Sequence, residues 1–403
     1  MTTPNEQSLL LCIARRDLDD ARTTELHRLL QGPIDWNDLI ETACQHRLIP
    51  LLHRHLSAVQ TDVRLVELER IRREALENSQ SVLYLITQLR TIINSFDEER
   101  VPLLVFKGPI LAQLAYGEIS LRQSGDLDLL IDRSHFNRVR SILESLGFQM
   151  APPLTTSQQT AHLGFHCEIQ FMRDNRFTVV DLHWSLTPKA FPFFLSTEEL
   201  MDRAQSVSLA GVAVRTFAVE DMILFQSMHG AKHHWLRLEW ISSLAEIIRA
   251  NSQIDWTVLI ERARVARGVK MLALGMHLAQ GVGDVDIPAD VFREIDQDGM
   301  MKRVAAERIA ELFRPQRREY RSVQAVRENL KIMDRKRDVF ASLLRALFVP
   351  TISDWETLTL PGSLHLLYYV LRPFRLAGRY AVAVWQTLTS RVGFQTNAAS
   401  KIR

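Results

Sequence analysis

Apolar residues recur at three- and four-residue spacing through the first hundred positions. That period predicts amphipathic helices over Leu9–Leu30, Asn37–Leu56 and Val63–Phe96. Gly32-Pro33 interrupts the pattern between the first two. The period then changes. Val101–Phe106 is almost wholly apolar, as a strand covered on both faces is. Pro109–Tyr116 returns to helical spacing, Gly117–Gly125 reads as a loop, and Leu127–Ile131 reads as a second strand. Ser134 is placed to cap an amphipathic helix that runs through Leu146 and closes at Gly147. Pro152–Thr160, rich in proline and threonine, reads as a loop. Two alternating runs follow, His166–Met172 and Phe177–Trp184, and Arg173-Asp174-Asn175-Arg176 between them predicts a hairpin. Ser206–Phe217 predicts a smaller hairpin turning at Ala210-Gly211. From Val219 the pattern is helical nearly to the end, with loops around Gly281–Ile287 and at Val349–Pro361.

These elements describe an α+β chain, mostly helical overall. An α/β core with a mixed sheet occupies about residues 100–218, between a helical region at 1–99 and another at 219–348, and a basic helical tail follows at 349–403. One pattern occurs twice: Ile34-Asp35-Trp36 with Leu39-Ile40 parallels Ile254-Asp255-Trp256 with Leu259-Ile260. Both read as an Asp N-cap followed by Trp in the first helical turn. Two copies are too few for a solenoid.

With 403 residues, 46% hydrophobic and 24% charged, the chain has the composition of a globular protein large enough for two or three packed units. Cys12, Cys44 and Cys167 are few and scattered, which argues for a reducing, cytoplasmic setting and against a disulfide framework. The first twenty residues carry no basic leader and read as having no signal peptide. The formal charge of +2 hides an asymmetry. From Thr357 to Arg403 there is no acid, but there are six bases: Arg372, Arg375, Arg379, Arg391, Lys401 and Arg403. Without them the chain holds 43 basic and 47 acidic residues, a balance of −4 that argues against nucleic acid as a partner. The tail reads either as a hairpin packed on the body with solvated arginines or as a peripheral contact to a membrane or protein surface. No run reaches the roughly 18 apolar residues of a spanning helix.

The chemistry concentrates between Val101 and Asp132. Asp126 and Asp128 stand one residue apart on a strand and so project to the same face, where both can reach a hard divalent cation. Asp181, flanked by Val180 and Leu182, is a third strand acid that needs a cation or a donor if it is buried. Three such carboxylates suit Mg²⁺ or Mn²⁺ held against nucleotide phosphates. Lys107-Gly108 opens a helix, where backbone amides and a lysine suit phosphate oxygens, and Arg122 and Ser124 lie on the loop leading to Asp126. Further on, His229, Lys232, His233 and Arg237 fall on one face of a helix that starts at Glu220, provided the helix continues. Lys232 and His233 are the candidates there for contacting phosphate. The H-x-x-x-H spacing also suits zinc, but Gly230 stands where a zinc hydrolase needs glutamate. His183, two residues after Asp181, reads as orienting the strand. No Walker, dinucleotide-binding or nucleophile-elbow motif is present.

The run FKGPILAQLAYGEISLRQSGDLDLLID, with the later VVDLHW, resembles a family of bacterial nucleotidyltransferases of the DNA polymerase beta-like superfamily. The shared features are the Lys-Gly pair, an Arg before Asp-x-Asp, and the Asp-Leu-His-Trp strand. The segment Met228–Leu238 and the early Asp35-Trp36 helix share the likeness. The resemblance implies a minimal nucleotidyltransferase core and a metal-dependent transfer of a nucleotidyl group from a nucleoside triphosphate to an acceptor hydroxyl. It implies Asp126, Asp128 and Asp181 as catalytic metal ligands, and Lys107, Gly108, Arg122, Ser124, Lys232 and His233 as nucleotide contacts. The acceptor, whether small molecule, saccharide or protein, stays open. A catalytically inactive nucleotide-binding scaffold of the same fold, docked to a membrane-associated assembly, is the alternative. The chain departs from the superfamily signature in having Gly108-Pro109 for Gly-Ser or Gly-Gly, and a longer gap to the acids.

Overall fold

The computed structural model describes residues 2–59, 65–173, 178–314, 328, 330–358, 360, 361, 364 and 366–378. Helices Pro4–Ile13, Asp20–Leu30, Trp36–Gln45, Ile49–Ala58 and Leu65–Glu98 precede the first strand. Two of the expected long helices are therefore broken. Asp19 starts a new one by accepting from the Arg22 amide at 2.8 Å. The second break falls at His46–Leu48, where Arg47 takes a left-handed φ of 56° and Pro50 begins the next helix. Spacing alone misses both breaks because apolar residues keep the same period across them. Asp35 and Asp255 cap their helices as the repeated pattern predicts.

Five strands form one mixed sheet: β1 (Leu104–Val105), β2 (Leu127–Leu130), β3 (Gln149–Ala151), β4 (Glu168–Arg173) and β5 (Thr178–His183), in the order β1-β2-β5-β4-β3. Only β2 and β5 run parallel; the other neighbours are antiparallel. A parallel pair needs a crossover. Here it comprises Phe136–Ser145, β3, the helix Thr156–Phe165 and β4. That second helix replaces much of the expected loop at Pro152–Thr160. Thr155 caps it in a reciprocal capping box with Gln158, so the threonines mark a helix start rather than a loop. Asp132, not Ser134, is the local cap: its carboxylate accepts from the Ser134 amide at 2.8 Å and starts a short 3-10 turn before Phe136. A separate hairpin, β6 (Gln205–Leu209) and β7 (Val212–Thr216), turns at Ala210 and Gly211, both with positive φ as a tight primed turn requires. The turn expected after Arg173 lies outside the described residues.

Strand alternation divides the five-stranded sheet into two unlike faces. Leu127, Leu129, Val180, Leu182, Ile169 and Phe171 point to one side, into a core shared with the long helix Leu65–Glu98 and the helix Phe136–Ser145. The opposite face carries the polar residues of the same strands. A second, larger core joins the N-terminal helices to Val219–Lys232, Leu238–Ala250 and Val269–Gly283. That core reaches the sheet through Leu104 and Leu130 on its polar side, while the long helix Leu65–Glu98 covers the apolar face. The expected helix Glu220–His234 stops at Lys232; His234 and Trp235 adopt left-handed φ, the chain reverses, and Arg237 becomes the N-cap of the next helix.

Toward the C-terminus, Asp354, itself buried, binds Arg372 and Arg375, the latter at 2.6 Å. Arg379, Arg391, Lys401 and Arg403 lie outside the described residues. Phe340, Leu366 and Phe374 are largely exposed. Among the described residues, no helix is long and apolar enough to cross a membrane.

The reversal after Lys232 depends on one glycine. Trp235 folds its indole back onto Gly230, and a Cβ there would meet three ring carbons at 2.5 Å. Trp235 is almost fully buried, so the ring has nowhere to move. Gly230→Ala therefore loses about 1–3 kcal/mol of stability by urea denaturation, despite the roughly 1 kcal/mol that alanine gains over glycine inside a helix. A stabilised variant would show that the indole is loosely held.

Candidate functional site

Parallel register sets the centre of the polar face. Asp128 of β2 pairs directly with Asp181 of β5, and Leu130 pairs with His183. Because β4 runs beside β5, Glu168 stands opposite His183. Period two then places Asp126, Asp128, Asp181, His183 and Glu168 on the same side of three strands. Ligand atoms of Asp128, Asp181 and His183 lie within 4.8 Å of one another. Two of the three expected acids are thus brought together with a histidine. Asp126 stays outside that grouping, although its charge reaches both other acids.

Asp128 is 2% exposed and does not stand alone. Lys107 Nζ lies 2.5 Å from its Oδ1, and His183 Nε2 lies 3.2 Å from the same oxygen. Burial pushes the Asp128 carboxyl up, but Lys107 and His183 outweigh it and hold the group well below the ordinary carboxylate range. Burial likewise disfavours the Lys107 ammonium, and Asp128 overcomes that and raises it. The pair is charged in the folded protein.

Asp181 is different. Burial, then Asp128, then Asp126 push its carboxyl up to about 6. Its Oδ1 is buried and has no hydrogen-bond partner among the described residues. Asp126 is also raised, by burial and by Asp128. Glu168 goes the other way: burial is outweighed by His183, Lys232 and Lys107, which hold it low. His183 Nδ1 sits 3.1 Å from Glu168 Oε2 without hydrogen-bond geometry. Phe106 meets the His183 ring edge-on at 5.0 Å and closes that side against water.

Lys107 is the N-cap of the helix Gly108–Tyr116, and Gly108 has φ +57. A Cβ there would lie 3.1 Å from the Asp126 carbonyl oxygen, so glycine is needed both for the backbone and for the close approach of the two loops. The Ser124 hydroxyl is buried nearby with no hydrogen-bond partner among the described residues, 3.9 Å from that same Cβ position. A free amide end, an unmet hydroxyl and an ammonium therefore converge beside the carboxylates.

The remaining expected residues are placed less uniformly. Arg122 is buried, with Nε 2.5 Å from Glu239 Oε1, so its charge is already matched by a carboxylate. Lys232 has no ion-pair partner among the described residues, and its charge reaches Glu168, His229 and His233. Burial, Lys232 and Lys107 lower His233 to about 4, and burial and Lys107 hold His229 well below its ordinary value, so both rings are neutral at neutral pH. They pack at 4.7 Å between centroids, and both meet Trp240. Among the described residues they belong to no cluster of three potential metal ligands. Glu168 and the contact of His183 with Asp128 escaped the sequence reading. The available signal was the Asp181-Leu182-His183 alternation, which puts His183 on the same face as Asp181; the strand order that adds Glu168 cannot be read from spacing.

A family model described as an uncharacterised nucleotidyltransferase matches residues 32–283. No curated protein matches the chain. Among solved structures, a solution structure of the antibiotic-resistance factor ANT(2'')-Ia is similar at 16% identity, over 50% of this chain and 97% of that one, with a TM-score of 0.32. A crystal structure of ANT(2")-Ia with adenylyl-2"-tobramycin is similar at 16% identity, over 49% and 97%, with a TM-score of 0.27.

The raised Asp181 carboxyl gives a signed prediction. A native carboxyl near 6, against an ordinary 3.8, binds its proton more tightly folded than unfolded, so ionising it costs stability as pH rises from about 3.8 to about 6. Asp181→Asn should unfold at higher denaturant than the parent at pH 8, and the difference should vanish at pH 4. An equal difference at both pH values would mean that charge repulsion is not the cause.

Proposed function

The chain belongs to the uncharacterised nucleotidyltransferase family, and from that premise we propose that it moves a nucleotidyl group from a nucleoside triphosphate to an acceptor hydroxyl with a divalent metal ion. The observation that carries this reading is the in-register pairing of Asp128 with Asp181 beside His183 and Lys107. The residues suit such an ion: Asp181 Oδ1 is buried and unpartnered, and carboxylate oxygens are the donors that Mg²⁺ and Mn²⁺ prefer. Asp126 and Asp128 would hold it, with Asp181 as third ligand or as base and His183 steadying Asp128. When bound, the ion supplies charge neutralisation on the phosphate oxygens.

The chain's own groups account for the rest. Lys107, the amides at Gly108 and the Ser124 hydroxyl would grip the triphosphate, with Lys232 and His233 lining the cleft from the helical side. Neutral His233 enters as a hydrogen-bonding group rather than a cation. Arg122 contributes by holding the loop that presents Ser124 and Asp126, through its pair with Glu239. In the transfer, the acceptor oxygen bonds to the α-phosphorus, the bond from that phosphorus to the bridging oxygen breaks, and pyrophosphate leaves. Where Asp181 serves as the base rather than as a ligand, the acceptor proton passes to its carboxylate. The acceptor is a small molecule, a saccharide or a protein that presents a hydroxyl.

A thermal-shift screen of the four common nucleoside triphosphates, each with Mg²⁺ and with EDTA, tests the reading. At least one should stabilise the protein only with metal, by about 2.7 kcal/mol at a hundredfold excess over Kd, and the effect should disappear in Asp126→Asn/Asp128→Asn. Stabilisation by none of them would sink the transferase reading. Stabilisation without pyrophosphate release across an acceptor panel would favour the inactive scaffold.

A further inference from the structure

The reversal at His46–Leu48 docks directly on the start of the helix Leu238–Ala250. His46 Nδ1 accepts from the Leu238 amide at 3.1 Å, and the His46 carbonyl accepts from the Glu239 amide at 3.3 Å. These two bonds bring Arg47, next to His46, and Arg237, next to Leu238, to the same seam. Arg122 joins them through its contact with Glu239. Three arginines therefore border the seam beside Glu239, whose Oε1 faces Arg122 at 2.5 Å and accepts from the Ser243 hydroxyl at 3.2 Å, and whose buried Oε2 has no hydrogen-bond partner among the described residues.

Among the described residues, neither Arg47 nor Arg237 has a carboxylate within ion-pair distance. Arg237 instead lies over the Trp240 ring, 5.3 Å from its centroid, which fixes the plane of its guanidinium. Burial and then the neighbouring Arg47 depress the Arg237 guanidinium, and Arg47 and Arg122 both act on Asp126. Glu239 and Asp126 offset part of that, but like charges held half-buried without an ion pair remain costly unless a further anion joins them. The backbone points the same way. Arg47, with φ 56°, sits where glycine would be unstrained, so backbone geometry alone does not call for arginine there.

We propose that Arg47 and Arg237 form an oxyanion subsite, at the seam between the N-terminal helices and the helix Leu238–Ala250, that holds a phosphate or carboxylate group of a substrate beside Asp126. Whose anion it holds rests on the transferase reading; that the seam binds oxyanions does not. Lys107, Ser124 and the amides at Gly108 already supply a grip for nucleotide phosphates. The arginine seam is then available to an acidic group on the acceptor, which makes that acceptor a phosphorylated or carboxylated hydroxy compound. The terminal phosphates of the nucleotide are the other source of the same chemistry.

The test titrates the full chain with inorganic phosphate and with tripolyphosphate in EDTA, without nucleotide, by calorimetry. Binding should saturate, weaken about tenfold or more in Arg237→Gln and in Arg47→Gly, and hold or tighten in Asp126→Asn, which removes a repelling charge. Arg47→Gly suits the left-handed backbone and should melt no lower than the parent, which keeps loss of binding distinct from loss of fold. No saturable binding of either anion by the parent protein, or unchanged binding in both arginine variants, overturns the proposal. Magnesium–nucleoside triphosphate then separates the two sources. If Arg237→Gln weakens it as much as tripolyphosphate, the seam holds the nucleotide; if only the inorganic anions are affected, it holds the acceptor. Anion binding without any metal-dependent nucleotide binding would sink the transferase reading and leave the subsite standing.

Discussion

The burial of Asp128 is the constraint on which the site depends. A carboxylate 2% exposed inside a sheet face survives as a charge only because Lys107 and His183 share one of its oxygens. Removing one partner of a buried ion pair typically costs on the order of 3–5 kcal/mol, because the other is left charged and dry. The turn that carries Lys107 and the strand that carries His183 are therefore tied to β2 by electrostatics as well as by hydrogen bonds. Gly108 permits that turn to come close enough.

Asp181 completes a division of labour among like residues. Asp128 is charged and neutralised; Asp181, beside it in register, is left partly unmatched with a carboxyl near 6. Under the proposed transfer, environments that differ this much around neighbouring carboxylates would give one site both a fixed charge and a proton acceptor. Asp181 Oδ1 and the Ser124 hydroxyl are buried without a hydrogen-bond partner among the described residues, and Lys232, whose charge reaches Glu168, has no ion-pair partner among them. Such open ends are expected where a ligand supplies the missing partner.

The helical regions do more than cover the sheet. Their shared core brings the turn at Arg47 against the start of the helix that Arg237 caps, so that residues 190 positions apart in the chain border the same seam. Trp235, folded onto Gly230, reverses the chain between Lys232 and Arg237.

Much of this was legible in the chain. The switch from a period of three to four to one of two located the α/β core, and Asp-x-Asp on an apolar strand identified the carboxylate face. The Lys-Gly turn and the Asp-Leu-His alternation identified its neighbours. These readings succeed because side-chain direction follows from local backbone geometry. What spacing could not supply was strand order, and so it could not tell that Asp128 would face Asp181 across a parallel pair or that Glu168 would stand by His183. Nor could it show that Arg122 would be spent on Glu239, since that acid lies 117 residues further along the chain. The helix reversal after Lys232 was equally hidden, because it depends on an indole finding room against a glycine. Local periodicity determined which residues share a face; only the packing of distant segments decided which charges were matched and which were left open.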